Sequence, residues 1–159
     1  DNTKRVLDSG SIPALEPAGD DQLRELLADA QPPHYVAIMG YLPESEKLDA
    51  AVADLRVAIR ERTGAATTFG YGPRFLHSTG QLHKGGPPTG RFLQLVNQPS
   101  RDLDIPGAPY SFGTLIAAQA AGDLQTIRDH GLTAERVELE GDPVQAVREL
   151  TARIQGLLE

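Results

Sequence analysis

The chain has 159 residues, a formal net charge of −7 and no cysteine, enough length for one domain that buries roughly 70% of its unfolded-chain surface. The missing thiols exclude disulfides, thiolate zinc sites and cysteine nucleophiles and agree with a reducing cytoplasm. The acidic balance, the absence of an apolar run near the ~20 residues that span a bilayer, and a polar start (DNTKRVLDSGS) without a signal-peptide core leave no expected nucleic-acid or membrane partner.

Residues 1–19 mix charges with Gly10, Pro13, Pro17 and Gly19 and read as a linker or N-terminal extension, leaving 20–159 as an α/β domain. From Asp20, read as an N-cap, Leu23, Leu26, Leu27 and Ala30 fall at helical spacing before Pro32. His34 to Tyr41 is a mostly apolar run without alternation, as expected of a central parallel strand covered on both faces. Glu44 to Thr63 puts Leu48, Val52, Leu55 and Ile59 on one helical face and stops at Gly64. Ala65 to Phe69 and Arg91 to Asn97 read as strands on either side of a glycine-rich stretch, and Gln98 to Pro109 as a loop.

Ser111 caps a helix that runs to Ala121, and Gly122 with Asp123 separates it from a second short helix, Leu124 to His130, giving a helical hairpin. Thr133 to Leu139 alternates as an edge strand, and a last helix announced by Asp142 and Pro143 carries Val147, Leu150, Ile154 and Leu157. Strands alternating with helices predict a three-layer α/β/α sandwich with a mostly parallel sheet.

The chemistry gathers in Gly70 to Gly90, GYGPRFLHSTGQLHKGGPPTG. Its glycines let a backbone approach a ligand, and Arg74, His77, Ser78, Thr79, Gln81, His83 and Lys84 offer charged and neutral donors. The stretch follows a strand, and ligands of open α/β sheets bind beyond the carboxyl ends of strands. From Arg74 to Arg91 three residues are basic and none acidic, a positive window that could hold a small anion. Lys84 could polarise a sugar oxygen or neutralise a phosphate, against the alternative of a solvated loop lysine. His77 could pass a proton or satisfy a buried carbonyl, and Ser78-Thr79-Gly80 is a short hydroxyl loop of the kind that takes phosphate. The glycines match neither a Walker A loop nor a dinucleotide fingerprint, and the histidine spacing is wrong for zinc, so no cofactor and no metal are expected.

GYGPRFLHSTGQLHKGGP, followed by PGAPYSFGTLIAAQAAGDL, resembles the carboxyl-terminal part of the glucose-6-phosphate isomerase half of fused transaldolase/glucose-6-phosphate isomerase proteins. The resemblance runs from Tyr35 to about Leu139. It implies a second sugar-isomerase (SIS) domain with flavodoxin-type topology, a phosphosugar ligand, and upstream isomerase domains or a homo-oligomer as partner. The family's ring-opening lysine corresponds to Lys84. Seven residues earlier the family has glutamine where this chain has His77, and Gln81 stands where an acidic residue is usual. The implied reaction interconverts glucose 6-phosphate and fructose 6-phosphate over an enediol. Its base is a glutamate from earlier sequence, and Glu44, Glu46 and Glu61 read as solvated surface. A non-catalytic phosphosugar-binding or structural domain is the alternative.

Overall fold

The computed structural model describes residues 2–98 and 101–157, except for the side chains of Asn2, Leu76 and His77. In chain order it contains α1 (Asn2–Asp8), α2 (Asp20–Ala28), β1 (Tyr35–Tyr41), α3 (Glu46–Thr63), β2 (Ala66–Tyr71), a 3-10 turn (Arg74–His77), α4 (Gly80–Gly85), β3 (Gly90–Asn97), α5 (Phe112–Asp129), β4 (Ala134–Leu139) and α6 (Pro143–Leu157).

The strands form a four-stranded sheet in the order β2-β1-β3-β4, with every pairing parallel. β1 and β3 are buried almost throughout, whereas the edge strands β2 and β4 are only partly buried, which is the burial that central and edge positions impose. On one face Val36, Ile38, Leu93, Leu95, Val137 and Leu139 pack against leucines, isoleucines and alanines of α2, α3 and α6. On the other, Ala37, Met39, Tyr41, Phe92, Val96 and Ala134 meet Ala120, Leu124 and Ile127 of α5 and Phe75 of the 3-10 turn. The result is the expected three-layer α/β/α sandwich, and its strand order is that of the flavodoxin-like class.

Local chemistry explains most boundaries. The Ser45 hydroxyl accepts from the Leu48 amide to start α3, and Gly64, at φ 70°, ends it in the left-handed region that favours glycine. The Ser111 hydroxyl accepts from the Thr114 amide at the start of α5, and Asp142 accepts from the Gln145 amide ahead of α6.

Three expectations change. Asp20 is the first residue of α2 rather than its cap. Gly19 takes the cap position, and the Gln22 side chain accepts from the Gly19 amide. Residues 2–8, within the stretch read as a linker or N-terminal extension without a packed element, form a helix that packs along α5. The helical hairpin is one continuous helix, because Gly122 and Asp123 are both buried within α5 instead of turning the chain outward. Asp123 lies three residues after Ala120 and four before Ile127, on the stripe that faces the sheet.

Candidate functional site

The glycine-rich stretch leaves β2 at its carboxyl end and folds back over the sheet. At Gly72 an added Cβ would lie 2.7 Å from the Tyr41 ring, and at Gly70 it would lie 2.9 Å from Phe75 Cβ. These two glycines therefore make room for the protein's own aromatic rings rather than for a ligand. Phe75 meets Tyr41 edge-on at 6.0 Å between centroids, which seats the turn and α4 against the α5 side of the sheet.

From there Lys84 turns inward. Its Nζ stands 2.5 Å from Asp123 Oδ1, with the lysine side chain 25% exposed and the aspartate 1%. The contact is an ion pair, and among the described residues neither Asp123 oxygen has a further hydrogen-bond partner, nor has the buried Tyr41 hydroxyl any. Burial pushes the Asp123 carboxyl above its ordinary range, and the Lys84 ammonium draws it part of the way back. Burial, reinforced by the negative charge of Asp123, also pushes the Tyr41 phenol upward. Desolvating a carboxylate costs several kcal/mol, and a single ion pair recovers only part of it. Lys84 of α4 and Asp123 of α5 are thus in ion-pair contact, and the Tyr41 phenol of β1 lies within the field of the same carboxylate.

The other predicted residues scatter around this point. His83 is buried, with Nδ1 2.8 Å from the Tyr35 hydroxyl and its ring stacked on Tyr35 and edge-on to Phe92. Burial, and secondarily Lys84, holds its pKa below the ordinary value. Its ring is packed within the core. Arg74 is exposed and paired with Glu44. Ser78 donates weakly to the Phe75 carbonyl at 3.3 Å, while Thr79 caps α4 without a side-chain bond and Gln81 is exposed. The backbone of His77 ends the 3-10 turn, and its side chain lies outside the described residues.

The positive window does not survive folding. Arg74 meets Glu44, Lys84 meets Asp123 and Arg91 meets Asp29, so each cation is neutralised by an acid distant in sequence. Grooves of about 310 and 250 Å3 open elsewhere, one beside Arg56 and Arg60 on α3, the other between β4 and α6. Glu44, Glu46 and Glu61 lie on the exposed surface.

Asp123 and Tyr41 were not singled out by the sequence reading. The available signal was a single acid within the apolar run LIAAQAAGDL, where a charge on the sheet-facing stripe demands a partner.

The architecture and this buried polar cluster define a flavodoxin-type α/β/α domain with one unsatisfied acid–base group. Neither a protein-family model nor a curated protein matches the chain. A solved structure of a hypothetical protein from Thermus thermophilus is similar, with a TM-score of 0.69 and 18% identity over 99% of this chain and 44% of that one. Likeness at that identity establishes the fold alone, and the chain spans less than half the length of that neighbour.

Proposed function

We propose that the chain is the second sugar-isomerase domain of a glucose-6-phosphate isomerase and contributes the lysine that assists ring opening. The observation that carries this reading is Lys84, whose ammonium is held at a nearly fully buried carboxylate instead of being released to solvent. An ammonium can donate to the ring oxygen of a cyclic sugar phosphate as the C1–O bond breaks, and a carboxylate at its back keeps the donor in place. The proton shuttle between C1 and C2 requires a base, and the surface glutamates of this chain are not poised to supply it. The base, and a phosphate site, would come from an upstream domain or a partner subunit.

The reading is tested by calorimetric titration of the chain with fructose 6-phosphate, alongside a coupled isomerase assay. Saturable binding without turnover, weakened at least about tenfold by Lys84→Ala, is expected. Binding that Lys84→Ala leaves unchanged would remove Lys84 from the site, and no binding would leave a structural domain.

A further inference from the structure

The two ends of the sheet carry grooves of opposite charge. Beside β2, at one end of the strand order, a groove of about 310 Å3 is lined by Arg56, Val57 and Arg60 of α3 and by Thr67. Arg56 donates from Nε to Thr67 Oγ1 at 3.2 Å and from Nη2 to the Thr67 carbonyl at 2.9 Å, which sets its guanidinium against the strand edge. Arg60 follows one turn later, a spacing at which like charges repel. No acid stands three or four residues from either arginine, and among the described residues no ion pair neutralises them. Val57, on the same groove, is 45% exposed.

Beside β4, at the other end, a groove of about 250 Å3 lies between the strand and α6, with Leu139 and Leu150 among its apolar residues. Of its charged groups, Glu138 pairs with Arg136 and Arg153 with Asp20, which leaves Glu140 and Glu149 without a cation among the described residues. Backbone at both ends is partly taken, since Arg56 holds the Thr67 carbonyl and the Ala18 amide donates to the Arg136 carbonyl. A partner at either end therefore meets side chains rather than a bare strand edge.

We propose that the α3–β2 groove of one copy of this chain docks on the β4–α6 groove of a second copy, with Arg56 and Arg60 against Glu140 and Glu149 and Val57 covered between them. The charges argue for this occupant. Two unpaired cations on a chain of net charge −7 match two unpaired carboxylates that the same chain carries at its other end. The contact is head-to-tail, so each added copy leaves a free half at both ends and association grows with concentration. Lys84 stands on the α5 side of the sheet, and the proposal does not rest on the isomerase reading.

Sedimentation velocity of the whole chain from about 10 μM to about 1 mM covers weak contacts of this kind. In low salt the mean mass climbs above that of the 17.1 kDa monomer, and about 1 M salt, which shortens the screening length to about 3 Å, returns it to monomer. Arg56→Gln/Arg60→Gln and Glu140→Gln/Glu149→Gln, which neutralise one groove each, stay monomeric alone and form a dimer that grows no further when mixed. A parent that is monomeric in low salt overturns the proposal, and polyglutamate bound through the two arginines would then assign them to a different acidic chain. A parent whose association both variants retain, or a mixture that stays monomeric, overturns it as well.

Discussion

Arg91 and Lys84 are both drawn partly out of solvent, and their surroundings differ. The Arg91 guanidinium, at the start of β3, donates from Nε to Asp29 at 2.5 Å and from Nη1 to the Gly90 carbonyl at 3.0 Å, and Nη2 lies 3.0 Å from His34 Nε2. Its carboxylate partner remains 54% exposed, so water shares the remaining work. Lys84 has the opposite arrangement, because there the acid is the deeper member and, among the described residues, has no hydrogen bond to complete it. A cation with a partner at each of its three nitrogens is part of the scaffold, whereas an acid buried with unused lone pairs is a cost that the fold itself does not recover. That difference is what makes the Lys84 cluster the candidate site.

Substitutions can break the comparison. Lys84→Met should be the most damaging, because it strands the Asp123 carboxylate without a counter-charge, and a loss of about 3 kcal/mol is expected by urea unfolding at pH 7. Arg91→Met leaves Asp29 free to turn to water, so its lost hydrogen bonds should cost less, about 2 kcal/mol in the same measurement. Arg74→Ala removes an exposed pair and should change stability by less than about 0.5 kcal/mol.

The pH dependence sharpens the contrast. Burial raises the folded-state pKa of Asp123 above its unfolded value, with Lys84 opposing the shift and Tyr41 the other ionisable group in its field. The folded state therefore binds the proton more tightly than the unfolded chain does. The Asp123 contribution to stability is fully present below the unfolded pKa and falls as pH rises through the interval up to the folded pKa. Urea midpoints compared across pH 3.5–7 should show this falling component in the parent, a steeper one in Lys84→Met, and none in Asp123→Asn.

Much of the architecture was legible because the local signals agree. The apolar run at Tyr35–Tyr41 marked the central strand, and Ser45, Gly64 and Ser111 punctuate helices with caps whose chemistry acts at short range. Gly122-Asp123 misled for the same reason. As a dipeptide it reads as a turn, and only the packing of α5 on the sheet makes it helix interior. Lys84 was legible as a candidate. Its partner was not, because Asp123 lies 39 positions away on another element and no local pattern links the two. The positive window failed in the same way, since Glu44, Asp29 and Asp123 neutralise it only once the chain is folded.

The most direct test is the urea-unfolding free energy, at pH 7, of the double variant Lys84→Met/Asp123→Leu. If the pair serves a ligand rather than the fold, replacing both charges with apolar groups should leave stability within about 1 kcal/mol of the parent or above it. A loss as large as that of Lys84→Met alone would show that the pair holds the fold together, and would contradict the account.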